Sequence, residues 1–238
     1  MSTDPVSSDR YVDATGEERS AAAGPSGGGS ATGRGGAPGA LVAGVRRLEG
    51  SEALDHPGGV LATVADAVVR SDRARDVLTG AWLGHALHPL LTDFPLGFWA
   101  SASVLDLVGG RAGRPAARRL VGLGVLAAVP TAASGLAEWR EADAPSRRVG
   151  TVHAASNSAA LTLYASSYLA RRRGRHARAV ALGVAGGLVA TAGGYLGGHL
   201  TLARKTGSRD PAFARPASHE GVGGQEERRG TVASAGQP

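Results

Sequence analysis

Apolar residues gather in the second half of this chain into four long runs, and the segments between them are short and basic. The runs cover Pro89 to about Val108, Leu120 to Ala137, Val152 to Ala170 and Ala177 to Leu202. A hydrocarbon core of about 30 Å takes about 20 largely apolar helical residues to cross, and each run has that length. Pro89 suits a first helical turn, Gly109-Gly110 closes the first run, and Pro130 predicts a kink in the second that a membrane helix tolerates. The third run is the least apolar, carrying Ser156, Asn157, Ser158, Thr162, Ser166 and Ser167, and reads as spanning only inside a bundle. The fourth holds Gly183, Gly187, Gly193, Gly194, Gly197 and Gly198, a small-residue spacing that lets helices approach closely and offers a face for a homo-oligomer. A soluble bundle would need a polar outer face on every helix, and these runs are too unbroken to supply one.

Ahead of the runs the period changes. From Gly59 to Leu78, Val60, Leu61, Val64, Val68 and Val69 alternate with Asp66, Arg70, Arg73 and Asp76, the pattern of an amphipathic helix lying on the membrane or the bundle. Trp82 and Trp139 fall at interface positions. Residues 21–40 are almost wholly Gly, Ala, Ser, Pro and Thr, and the end of the chain is polar with the charged run GQEERRG; neither has enough large apolar surface to order itself. The expected organisation is all-α: a disordered tail at 1–50, a surface helical segment at 51–80, a four-helix transmembrane domain at 81–206 and a second disordered tail at 207–238. The first forty residues hold no apolar run behind a basic patch, so no secretory signal is expected and insertion begins at the first span.

Composition changes the picture in two ways. The mean hydropathy of −0.06 averages two unlike parts, and the formal charge of +6 in 238 residues comes largely from RAGRPAARR and RRRGRHAR between runs. Basic runs without aromatic interleaving argue against nucleic acid and for membrane-flanking segments. Arg111, Arg114, Arg118, Arg119, Arg171, Arg172, Arg173, Arg175 and Arg178 would hold those connections in the cytoplasm, placing both termini outside the bacterial plasma membrane of a multi-pass protein. Arg140, Arg147, Arg148, Arg204 and Lys205 on the other side weaken that bias. Cysteine is absent, which excludes disulfides, thiolate metal sites and cysteine nucleophiles, so a haem or divalent metal would have to use His, Asp or Glu. Lys205 is the only lysine, and the Arg, Ala and Gly excess suits a GC-rich bacterial genome. No nucleophile elbow or phosphate loop is present; the Gly-rich stretches lie in a tail or inside a span rather than after a strand.

Four alternating spans bring one end of every helix to the same membrane face. His85, His88, Asp93, Glu138, His153, Asn157, Tyr195 and His199 all fall near that face. His153, Asn157, Tyr164 and Ser167 form one helical stripe, as do Thr191, Tyr195 and His199, and Thr131, Ser134 and Glu138; all three are expected to face inward. Ionisable residues in spans are costly and default to function. Imidazoles with carboxylates suit a divalent metal, and two imidazoles suit a haem iron. His88, His153 and His199 are the candidate cofactor ligands, with His85, Asp93, Glu138 and Asn157 completing or protonating a metal site. The opposing reading is that each histidine near a helix end only caps backbone and meets water. Asp106 stands apart, near the arginines, and is expected to pair with Arg118 or Arg119.

The segments LHPLLTDFPLGFWASASVLDLVGG, VPTAASGLAEW, RRVGTVHAASNSAALTLYASSYLARRR and GGYLGGHLT, in that order over about residues 80–203, resemble the bacterial four-helix membrane family known as domain of unknown function 2231. The resemblance implies an inner-membrane four-helix domain without an established activity. Many relatives carry His where this chain has Asp93, and some continue into a Rieske-type iron–sulfur domain. This chain has a polar segment there instead, so any electron partner would be a separate redox protein. Two functions compete: a redox, metal- or haem-binding membrane component, and a non-catalytic membrane anchor or assembly factor. A small transporter comes third, since four helices leave little room for a pathway unless the protein dimerises.

Overall fold

The computed structural model describes residues 39–207. Among them every regular element is helical: α1 Ala40–Glu49, α2 Asp55–Val68, α3 Asp72–Thr79, α4 Leu87–Val108, α5 Gly110–Glu141, α6 Ala144–Arg172 and α7 His176–Gly198, which runs on as a π turn through His199–Ala203. Of the two expected tails, all but residues 39–50 and Gly207 lies outside the described residues.

Three boundaries differ from the sequence reading, each for a local reason. Residues 40–49 are helical rather than part of a tail: Val45, only 4% exposed, packs with Val149 and Leu196. The amphipathic stretch 59–78 is two helices, because Ser71 leaves the helical conformation and accepts the Ala74 N–H at 3.2 Å as the N-cap of α3. Only Gly109 separates α4 from α5, so Arg111, Arg114, Arg118 and Arg119 stand on the first turns of α5 and not in a loop. At Pro130, which lacks an N–H for the helical ladder, α5 continues as one helix, and Thr131 Oγ1 donates to Ala127 O at 2.9 Å and to Leu91 O at 3.1 Å, tying it to α4.

α4 with α5 and α6 with α7 form two helical hairpins, and the second repeats the first. On α5 Ala117, Val121, Gly124, Ala128, Thr131 and Ser134 are buried, with Ala137 and Trp139 beyond them, and on α7 Ala179, Gly183, Gly186, Ala190, Gly193 and Leu196 are buried; the six of α7 advance by the same steps of four and three as the first six of α5. On α4, Pro95, Trp99 and Ala102 are buried, and on α6 so are Ala160, Tyr164 and Ser167, each 65 residues further on, the separation of Asp106 and Arg171. Equivalent residues of the two hairpins touch one another. His88 meets His153, Trp99 stacks on Tyr164 with ring centroids 3.9 Å apart and planes at 9°, and Asp106 pairs with Arg171. These three pairs therefore mark a pseudo-two-fold axis running along the bundle, as in parallel-repeat membrane folds.

Solvation is inverted relative to a water-soluble bundle. The interior holds Ala117, Val121, Ser134, Ala160 and Ser167, while Leu90, Phe94, Leu107, Leu126, Val129, Val184 and Leu188 face outward. α5 and the stretch His176–Ala203 are each long and apolar enough to cross a membrane, and α4 and α6 run alongside them. α1, α2 and α3 cover the end of the bundle where α4 and α6 begin. Asp55 takes a two-pronged pair from Arg148 at 2.8 and 2.8 Å, Asp66 pairs with Arg140, and Ser134 Oγ donates to Leu78 O at 2.6 Å.

Candidate functional site

At the covered end of the axis, the His88 and His153 rings lie edge to face, with centroids 6.2 Å apart and planes at 88°. His88 stands in the first turn of α4, where its N–H donates to Glu138 Oε1 at 3.0 Å, a carboxylate well placed for the positive end of a helix dipole. The His88 ring lies over Gly135, where an added Cβ would come within 2.8 Å of Cε1; the His153 ring lies over Gly197 at the same 2.8 Å. Each hairpin thus seats its histidine in a glycine notch of the returning helix.

The hydrogen bonds assign the tautomers, since a carbonyl oxygen can only accept. His88 Nδ1 donates to Thr131 O at 2.9 Å and His153 Nδ1 to Gly193 O at 2.8 Å. Both rings then carry their proton on Nδ1 and a lone pair on Nε2. On His153 that lone pair accepts from Asn157 Nδ2 at 2.9 Å. An imidazole whose Nδ1–H is fixed by a backbone carbonyl is oriented as metal-ligating histidines are.

The structure gathers only part of the sequence-based site. His88, His153, Asn157 and Glu138 come together as described. His199, expected beside them, instead meets Glu49 of α1 through Nε2 at 3.0 Å, and Asp93 is exposed on the outer face of α4. Thr191 and Tyr195 point outward rather than into the bundle, because the glycines of α7 occupy the inner side. His85 stands in an adjoining cavity of about 240 Å³, lined also by Thr79, Gly80, Ala81, Gly84, Glu138, Glu141 and Gly207. Gly80 shapes that cavity: its φ of +77° ends α3 in the left-handed region, and a Cβ there would strike His85 O. Among the described residues no three His, Asp or Glu side chains converge on one metal position. Asp106 pairs with Arg171 at 2.5 Å rather than with Arg118 or Arg119, since α6 packs α4 on the inner side while those two arginines of α5 face out.

Sequence reasoning missed Thr131 O, Gly193 O, Gly135, Gly197 and Glu49. The two glycines had a signal: with Gly124 and Gly186 they recur at one interval in both hairpins.

An all-α bundle with a small-residue interior, an apolar exterior and a buried polar axis is a membrane protein. Residues 84–210 match the family described as predicted membrane protein DUF2231, and the chain belongs to it. No curated protein and no solved structure matches the chain.

Proposed function

We propose that this DUF2231 protein is a multi-pass membrane component that takes up one transition-metal ion between His88 and His153. The observation that carries the reading is the paired tautomer: both imidazoles are pinned through Nδ1 to carbonyls and offer Nε2. A metal–nitrogen bond of about 2.0 Å on each side puts two opposed imidazole centroids about 6 Å apart, the spacing seen across the axis. Uptake requires Asn157 to release His153 Nε2. Two ligands leave further positions for water or a partner's group, and Glu138, bonded to the His88 N–H, stands beside the pair as a proton acceptor. A bare ion suits the site better than haem. The cavity beside the pair, about 240 Å³, is below the roughly 300–1,000 Å³ of pockets that enclose organic ligands. If the ion is redox-active, its electron partner is a separate protein docking on the covered end. The four helices cross the plasma membrane with the arginine-bearing ends of the hairpins in the cytoplasm.

The test is metal content after purification in detergent and incubation with Cu(I), Fe(II) or Zn(II). Wild type should hold one ion per chain; His88→Ala and His153→Ala should each lose most of it, and the double no more, because ligands of one ion act as a unit. His199→Ala should keep it. A wild type that retains no ion and shows no Soret band would leave the non-catalytic anchor as the function.

A further inference from the structure

At the opposite end of the bundle, the α6–α7 turn closes over a groove of about 150 Å³ lined by Ser166, Leu169, Ala170, Arg173, Arg175, Arg178 and Leu182. We propose that this groove binds the phosphodiester of an anionic phospholipid, with Arg173, Arg175 and Arg178 on the headgroup and Leu169 and Leu182 along the first part of an acyl chain. The proposal rests on the bundle lying in a bilayer and not on the metal reading, since the groove and the histidine pair occupy opposite ends.

Charge comes first. Three guanidinium groups line one small groove, and no Asp or Glu occurs anywhere between Asp143 and Asp210. Asp106, which does reach this end, is already held by Arg171 through both oxygens at 2.8 and 2.5 Å. Nothing in the described residues neutralises Arg173, Arg175 and Arg178. Phosphate oxygens are the fitting counter-charge, because a guanidinium fork engages two of them at once.

Depth comes second. Arg173 follows the end of α6, and Arg175 and Arg178 open α7, so all three stand at the membrane boundary. Ser166, Leu169 and Leu182 lie one to two turns further along the same helices, toward the hydrocarbon, and Leu169 is exposed. A groove cationic at the rim and apolar below matches a phospholipid and exceeds what a free phosphate needs. Basic pockets between spanning helices on the basic face recognise anionic headgroups in this way.

The internal repeat supplies a control. The first hairpin has Ser101, Val104 and Leu120 where the second has Ser166, Leu169 and Leu182, but Val108, Gly113 and Ala116 where the second has Arg173, Arg175 and Arg178. The apolar floor is common to both turns and the three cations belong to one. A general need for basic flanks would not choose these three positions.

The full chain in a neutral detergent is heated with phosphatidylglycerol, with phosphatidylcholine, or with inorganic phosphate at the same concentration. Phosphatidylglycerol at saturation should raise the unfolding midpoint by roughly 5 °C or more, and the other two should leave it in place. Arg173→Gln/Arg175→Gln/Arg178→Gln should lose the rise, while Arg111→Gln/Arg114→Gln at the other turn should keep it. Equal stabilisation by phosphatidylcholine, a full effect from inorganic phosphate, or an undiminished rise in the triple variant would each overturn the proposal. If the triple variant does not fold, native mass spectrometry of the wild type decides. Preferential retention of phosphatidylglycerol over phosphatidylcholine, reduced in Arg178→Gln, supports the site, and no preference overturns it.

Discussion

Asp106 and Arg171 show how much one residue pair can decide in a bundle without a large apolar core. Their side chains are 7% and 4% exposed, and Arg171 also donates to Ser167 Oγ at 3.4 Å. Breaking a buried pair by removing one partner costs roughly 3–5 kcal/mol, because the remaining charge is left uncompensated. Asp106→Ala and Arg171→Ala should each lose about that much in unfolding from mixed micelles. The repeat adds a sharper expectation: Asp106 and Arg171 occupy equivalent places across the axis, so Asp106→Arg/Arg171→Asp should regain most of the loss. It should fall short by about 1 kcal/mol, the worth of one hydrogen bond, since Ala102 stands where Ser167 would be needed. A swapped protein no more stable than the single variants would mean that the two hairpins are not interchangeable around the axis.

Helices pack here by seating large side chains in glycine notches, and the notches are unequal. A Cβ on Gly124 would lie 2.2 Å from Trp99 Nε1, one on Gly186 would lie 3.0 Å from Tyr164 Cε2, and one on Gly97 would meet nothing within 4 Å. Overpacking a filled interior costs about 1–3 kcal/mol. Gly124→Ala should reach or exceed the top of that range and disturb the Trp99–Tyr164 stack, Gly186→Ala should fall near the bottom, and Gly97→Ala should be neutral, all read from thermal unfolding. The four core helices were legible in the sequence as long, largely apolar runs, and two of them, α5 and His176–Ala203, are long and apolar enough to cross a membrane. The repeat was only faintly legible: His88 and His153, Gly124 and Gly186, and Gly135 and Gly197 recur, but other equivalent places hold unlike residues, Trp99 against Tyr164, Asp106 against Arg171 and Thr131 against Gly193, and the shared pattern of burial shows only in the folded chain. Helix α1 was missed because LVAGVRRLE is short beside a Gly-rich tail, and its stability comes from docking Val45 rather than from its own propensity.

The cover over the histidine end is fastened by charge outside the spans. The Arg148 guanidinium holds the Asp55 carboxyl below the usual carboxylate range, and Ser146, then Arg204, do the same for Asp143 at the N-cap of α6. A carboxyl depressed on folding adds stability that is complete above its unfolded value of about 3.9 and is lost as the pH falls through the lower folded value. Below about pH 4 the helices α1 and α2 should loosen while α4 to α7 stay helical. Hydrogen exchange should rise across 40–68 and remain slow in 120–137; simultaneous exposure of both would refute a separable cover.

Orientation belongs to the whole molecule, because the cover and the histidine pair lie at one end of the bundle and the arginines of the two hairpin turns at the other. The structure moves Arg111, Arg114, Arg118 and Arg119 from an expected loop onto exposed turns of α5 and takes Arg171 out of the count by burying it against Asp106. Arg172, Arg173, Arg175 and Arg178 remain at the second turn. On the opposite face Arg140, Arg148 and Arg204 are paired with Asp66, Asp55 and Asp143. Arg46, Arg47 and Lys205 on that face form no ion pair among the described residues, so pairing does not separate the two faces; the proposed orientation rests on the number of arginines beside the hairpin turns, the side that the positive-inside rule would hold in the cytoplasm. The chain has no cysteine, so single cysteines can report this directly. Gly113→Cys and Gly174→Cys should resist an impermeant thiol reagent in intact cells and react after lysis, whereas Ser51→Cys, near the cover, should react from outside. The two turn sites check each other: Gly174 has open space for a Cβ but a φ of +70° that strains any other residue, whereas Gly113 has an ordinary φ and a neighbour, Leu105 O, at 3.3 Å that must give slightly. Labelling of both turn cysteines from outside, with Ser51→Cys protected, would invert the protein and put the histidine pair in the cytoplasm.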